Sequence, residues 1–186
     1  MRKSITNIFA VCLLLGMSLN AMAGNNGAGK RLVLNLVGTD VAYAGFVAGI
    51  NENDPALAAL CFDVDLFNAK NQQLIGTATD CLSEITAVGA GVALIGTTTF
   101  NLPSGSLTVR GNTSVLPVTQ PTVTPNGQNI THITGASGTG DAVISGSMKF
   151  ANATGTARLS GMVDLSSFAG EGTPISFDCL FVIDLD

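Results

Sequence analysis

A run at the C-terminal end of the chain in which every second residue is apolar constrains the fold most strongly. Pro174 opens the segment, and Asp178, Asp184 and Asp186 occupy positions in the set opposite to the apolar residues. Because successive side chains of a β-strand point to opposite faces, this pattern predicts a strand that is buried on one face. The predicted buried face consists of Ile175, Phe177, Cys179, Phe181, Ile183 and Leu185.

The same period of two recurs through most of the chain, in short runs separated by residues that favour turns. With 22 glycines and frequent Thr and Val, the composition favours strands and tight turns. Eight to ten strands at hairpin spacing, without helices long enough to connect parallel strands, predict a barrel or a sandwich. The further predicted strands are 32–37, 41–50, 60–66, 74–82, 91–101, 107–111, 130–134, 141–150 and 156–165.

Two segments do not follow the alternating pattern. A short helical turn is predicted at Pro55–Ala59, with Asp54 as its N-terminal cap. Val115–Gln128 contains three prolines, each of which lacks a backbone N–H. This second segment is therefore predicted to be a sheet edge or a long loop.

The N-terminus has the features of an export signal. Arg2 and Lys3 precede an uncharged, mostly apolar run, and small residues at Ala21 and Ala23 suit signal peptidase. The run is too short to span a bilayer as a helix, so no transmembrane segment is predicted. We therefore predict cleavage between Ala23 and Gly24, removal of 1–23, and function in the periplasm or outside the cell.

The remaining chain, 24–186, has a length that suits a single domain. Removal of Arg2 and Lys3 with the signal leaves six basic and thirteen acidic residues, a net charge of −7. A surface of this charge repels nucleic acid and anionic lipid headgroups, so neither is an expected partner.

Three cysteines lie in the predicted mature chain, an odd number for an exported protein. Cys61 and Cys81 are equally distant from Asn71, the centre of a predicted turn, so the hairpin would place them opposite each other. We predict a disulfide between them, with a bond from either one to Cys179 as the competing pairing. No Cys-x-x-Cys pair occurs and His132 is the only histidine, so no metal site or other cofactor is predicted.

The sequence contains no recognised catalytic motif, and no catalytic residue is assigned from it. Weak candidates for ligand binding are titratable or cationic side chains in otherwise uncharged surroundings. For each of them an ordinary rim, structural or solvated position is the competing interpretation. The candidates are Glu84, Arg110, His132 and Arg158.

Three segments resemble a known superfamily. Phe150–Gly161, with the sequence FANATGTARLSG, resembles the G-x-F-x-x-A-x-G hairpin of the allene oxide cyclase and dirigent proteins. Thr131–Ala136 and Phe100–Gly111 are similar to upstream segments of bacterial, secreted members. The resemblance implies a closed antiparallel eight-stranded β-barrel, with the β-sandwich as the alternative, and such a barrel can hold one small ligand.

Proteins of this superfamily hold a reactive molecule in one conformation and so direct its reaction. The resemblance implies that the chain binds a small apolar molecule in the barrel, with or without steering its cyclisation or coupling, and without covalent catalysis. The alternative function is a structural or interaction protein of the periplasm or cell surface, with a barrel filled by its own side chains. An apolar cavity in the structure would favour the first function, and a solid core would favour the second.

Overall fold

The computed structural model describes residues 29–49, 53–125, 127–138 and 140–186. The predicted signal and its cleavage site after Ala23 lie outside the described residues. Within these ranges the chain forms ten strands and a single 3-10 turn at Met148–Phe150. The strands are β1 (Lys30–Val41), β2 (Tyr43–Val47), β3 (Leu57–Asn68), β4 (Leu74–Val88), β5 (Gly91–Leu102), β6 (Gly105–Val123), β7 (Asn129–Ala136), β8 (Asp141–Gly146), β9 (Gly155–Asp164) and β10 (Pro174–Leu185).

The strands form one closed antiparallel barrel with eight positions. Hydrogen-bonded neighbours follow the order β1, β10, β9, β7, β6, β5, β4 and β3, and β3 pairs back with β1. β8 pairs with β6 and β9, so it shares the position of β7. β2 extends the edge of β3 beyond the end of β1. The predicted closed eight-stranded barrel is confirmed, and the single ring excludes the two separate sheets of a sandwich.

The inward faces of the strands form the core, as the alternation predicts. All six apolar residues of the predicted buried face of β10 are at most 8% exposed. Within this core Phe100 and Phe181 meet edge to face with ring centroids 5.1 Å apart. Phe181 also borders the cavity that contains the candidate site.

The hairpin β3–β4 has the predicted register. Cys61 lies directly opposite Cys81, their Cα atoms are 4.1 Å apart, and the two residues form a disulfide. The predicted Cys61–Cys81 bond is confirmed. Cys179 is a buried free thiol, so the competing pairing is wrong.

Two local predictions need correction, and a third agrees with the structure. No helical turn forms at Pro55–Ala59, because β3 begins at Leu57 and pairs with β2. The strand predicted at 141–150 ends at Gly146, and Met148 then adopts a positive φ of 50° in the 3-10 turn. The proline-rich segment continues β6 as far as Val123. Beyond Val115 it pairs only with β7, with a register shift between Pro117 and Thr122, so it is a sheet edge as predicted.

Candidate functional site

A partly open cavity of about 210 Å³ lies inside the barrel. Side chains from most strands of the ring contribute to its wall, and the wall is mainly aliphatic and aromatic. This is the arrangement expected of a small-molecule site, which is concave, mostly apolar and supplied with few polar groups. Its apolar residues include Leu36, Leu94, Val115, Val163, Ile175 and Phe177.

Small side chains at inward positions explain why this volume is unfilled. Gly96 of β5 and Gly111 of β6 are directly paired, and both belong to the inward set of their strands. A Cβ atom on Gly111 would lie within 2.1 Å of a carboxyl oxygen of Asp141, so this glycine makes room for Asp141 inside the barrel. Gly96 lines the cavity itself. Because protein interiors are otherwise close-packed, the missing side chain at Gly96 leaves part of this space open, whereas Asp141 takes the space at Gly111.

Asp80 of β4 is the first of two carboxyl groups in the cavity wall. It lies opposite Phe62 on the inward face, and Thr98 Oγ1 donates a hydrogen bond of 2.7 Å to its Oδ1. Burial raises the pKa of Asp80 to about 6, although the hydrogen bond from Thr98 acts in the opposite direction. A carboxyl group with this pKa can either donate or accept a proton near neutral pH.

Asp141, the first residue of β8, supplies the second carboxyl group. It is 3% exposed, and burial together with the charge of Asp80 raises its pKa to about 6. Its Oδ1 atom has no hydrogen-bond partner within the described chain, and neither has Oγ1 of Thr113, another residue of the wall. Buried polar atoms are seldom unpaired in folded proteins, so these two oxygen atoms are candidates for contact with a bound molecule.

Cys179 also lines the cavity, from β10. Burial is the largest cause that raises the pKa of its thiol far above the usual range, and the nearby carboxyl groups of Asp80 and Asp178 add to the effect. The thiol therefore stays protonated at any physiological pH. A protonated, buried thiol behaves as a small apolar group and not as a nucleophile.

A β-bulge and a loop form the cavity's outer boundary. The pairing of β4 with β5 shifts register after Ser83, and Glu84 there adopts a positive φ of 50°. The next residue, Ile85, is 45% exposed and also lines the cavity. In the β9–β10 loop, Phe168 lines the cavity and packs against Phe62 with ring centroids 6.1 Å apart.

The four ligand-binding candidates from the sequence lie apart from one another, and none contributes to this cavity wall. Glu84 is exposed at the bulge. Arg110 donates hydrogen bonds to Thr97 Oγ1 (2.9 Å) and to the Gly49 carbonyl (3.1 Å). A role of either residue in ligand binding stays a prediction that this cavity does not support.

His132 and Arg158 likewise have local partners. The His132 Nδ1 atom is hydrogen-bonded to the hydroxyl of the adjacent Thr131 at 2.9 Å. Arg158 is exposed and forms an ion pair with Asp184 at 2.9 Å. Their predicted roles as ligand contacts remain predictions.

Neither cavity carboxyl group was predicted from the sequence, although the hairpin register indicates that Asp80 lies on an apolar face. The register that places Cys61 opposite Cys81 also places Asp80 opposite Phe62, on the apolar face of the hairpin. A carboxyl group within an apolar face is a candidate functional group. No comparable sequence pattern marks Asp141, because it is the first residue of a strand. Only the pairing of β8 with β6 and β9 brings it inward.

No cluster of three or more His, Cys, Asp or Glu side chains suited to a metal ion occurs among the described residues. A search of the same residues finds no helix of sufficient length and apolarity to span a bilayer.

No protein-family model matches the chain, and no curated protein matches it. Among solved structures it is similar to two pterocarpan synthase dirigent proteins. GePTS1 is 15% identical, with a TM-score of 0.42 over 95% of this chain and 100% of that chain. PsPTS1 is 16% identical, with a TM-score of 0.40 over 84% of this chain and 96% of that chain.

No residue role or activity carries over at these identities and TM-scores. The predicted bacterial, secreted origin of the chain also stays a prediction. The closed eight-stranded barrel that the resemblance implied is confirmed by the strand pairings of this chain.

Proposed function

We propose that the protein binds a small, mostly apolar molecule inside its barrel and steers a reaction of that molecule without covalent catalysis. The observation that supports binding is the cavity of about 210 Å³ with its largely apolar wall. A dry apolar cavity of about 150 Å³ is known to accept benzene in another protein. The space here therefore suits a single ring with a short substituent.

The chemistry of the wall supports steering by shape and proton transfer. Asp80 and Asp141 each have a pKa of about 6 and can exchange a proton with a bound molecule near neutral pH. Cys179 stays a thiol, so the wall provides no activated nucleophile. Confinement of a reactive species away from water then accounts for selectivity.

We further propose that the protein works in an exported compartment. The Cys61–Cys81 disulfide is compatible with an oxidising environment, which the predicted N-terminal signal would provide. The alternative structural or interaction role predicts an interior filled by the protein's own side chains. No feature of the described residues favours that role over binding.

Native mass spectrometry after incubation with a lipid extract tests the proposed binding. We expect the protein to retain one small molecule, and Gly96→Leu to abolish retention because the new side chain occupies the cavity. Val115→Phe fills the same space from β6 and serves as a second variant. Ala142→Leu, at an exposed position of β8, is the matched control and should retain the molecule.

Wild-type protein that carries no bound species from any extract would contradict the proposed function. Equal retention by the Gly96→Leu variant would place the bound molecule outside the cavity and would also contradict it.

A further inference from the structure

The cavity contains two carboxyl groups and no cationic side chain. Asp80, Asp141 and Cys179 are the titratable groups of its wall, and the thiol is uncharged. The strands β6 and β9, which flank Asp141, carry Arg110 and Arg158, but these side chains have partners outside the cavity. Ionised carboxyl groups in this space therefore have no countercharge from the protein.

The remaining neighbours of the two carboxyl groups are neutral. Asp80 accepts a hydrogen bond from Thr98, and its direct partner on β3 is Phe62. Asp141 lies against Gly111 and pairs with Ala157 of β9. Burial of unpaired charge is unfavourable in free energy. A bound cation that neutralises the two carboxylates would offset a large part of this unfavourable term.

Two buried oxygen atoms of residues in the cavity wall lack a hydrogen-bond partner. Asp141 Oδ1 and Thr113 Oγ1 are 3% and 4% exposed at the residue level, and neither has a partner within the described chain. Both residues line the cavity. A hydroxyl group can both donate and accept a hydrogen bond, whereas an ionised carboxylate can only accept. Asp141 Oδ1 therefore requires a donor, and none of the described residues supplies one.

We propose that the bound molecule carries a protonated amine: a small organic cation whose ammonium group contacts Asp80, Asp141 and Thr113 and whose apolar body fills the rest of the cavity. This inference rests on the proposed function and specifies the chemistry of its ligand. An ammonium group donates up to three hydrogen bonds and supplies the missing positive charge. An alcohol or a water molecule can donate to the unpaired acceptors but leaves the charge uncompensated.

The overall charge of the protein favours the same class of ligand. The chain has a formal net charge of −5, and it becomes more negative if the predicted signal is removed. A negative protein attracts small cations and repels anions during diffusional encounter. The acidic surface and the two carboxyl groups of the wall therefore both favour a cationic ligand.

Calorimetric titration of the purified protein with three matched probes tests the inference. The probes are 2-phenylethylamine, 2-phenylethanol and n-propylbenzene, which differ only in the terminal group. At pH 8, where both carboxyl groups are ionised, we expect the amine to bind at least about tenfold more tightly than either neutral probe. At pH 4.5, where both are protonated, we expect the preference to disappear.

Neutral variants of the carboxyl groups provide the second measurement. Asp80→Asn and Asp141→Asn should each weaken amine binding at pH 8 by about tenfold or more, while n-propylbenzene affinity changes by less than about twofold. Asp65→Asn removes an exposed carboxylate from the outer face of β3 and should leave all three affinities unchanged. The comparison of probes on the wild-type protein does not depend on the folding of any variant.

Three other outcomes would overturn the ammonium inference. Equal or tighter binding of a neutral probe at pH 8 overturns the ammonium inference and leaves the proposed apolar-ligand function intact. Binding of none of the three probes overturns the inference, and the lipid-extract assay then decides the proposed function separately. An amine preference that survives in both Asn variants places the cation elsewhere and also overturns the inference.

Discussion

Cys179 and Gly161 are packed directly against each other inside the barrel. They are paired across β10 and β9, and a Cβ atom on Gly161 would lie 2.4 Å from the Cys179 sulfur. The glycine is therefore required by the close approach of the thiol. The alternation in β10 placed Cys179 on the buried face, but the need for a glycine opposite it follows only from the register of β9.

We expect Cys179→Ser to fold and to lose about 1–3 kcal/mol of unfolding free energy, because it buries a hydroxyl group where a thiol packed. The sulfur makes one long contact, of 4.0 Å, with the Met162 carbonyl oxygen. Urea denaturation followed by circular dichroism measures the loss. A variant that fails to fold would contradict a role limited to packing.

At the level of elements, the β3–β4 hairpin was the most predictable part of the chain. Its turn residues, its apolar face and its two cysteines all indicate one register, and that register is observed. β8 was the least predictable, because the strand is short and pairs mainly with β6 rather than within a C-terminal hairpin. Local sequence specifies a turn and a face, whereas the partner of a short strand depends on which edges the rest of the barrel leaves open.

Removal of the disulfide in this hairpin should destabilise the whole protein. The bond joins cysteines separated by 20 positions, and closure of a loop of this size is worth about 3 kcal/mol in the unfolded chain. We expect the double variant Cys61→Ala, Cys81→Ala to lose about that amount in guanidinium denaturation. The Cys179→Ser variant, analysed in parallel, should retain the bond.

Peptide mapping under non-reducing conditions checks the pairing itself. We expect a peptide that links Cys61 to Cys81. A peptide that links Cys81 to Cys179 would contradict the hairpin register.

For the molecule as a whole, the two cavity carboxyl groups make stability depend on pH. Burial raises the pKa of both Asp80 and Asp141 to about 6 from the ordinary value of 3.8. Between these values the folded state binds more protons than the unfolded state, so the free energy of unfolding falls as pH rises. Asp184, whose pKa is lowered by Arg31, acts in the opposite direction but lies exposed on the surface.

We therefore expect the protein to be more stable near pH 4.5 than near pH 7.5, by an amount on the order of 3 kcal/mol. Thermal unfolding at a series of pH values measures this difference. The double variant Asp80→Asn, Asp141→Asn should flatten the profile because it removes both groups that titrate in this range. A wild-type protein whose stability rises steadily from pH 4.5 to pH 7.5 would contradict the assignment.

The sequence by itself determined the strands, their inward faces and one disulfide, because these depend on a local period of two and on the geometry of a single hairpin. The closed ring and its cavity depend on contacts between residues far apart in the chain. Asp80 and Asp141 are separated by 61 positions, and only the closed sheet brings their carboxyl groups to one space. Gly96 and Gly111 meet within the local hairpin of β5 and β6, but Asp141 reaches Gly111 only because β8 pairs with β6 in the folded barrel.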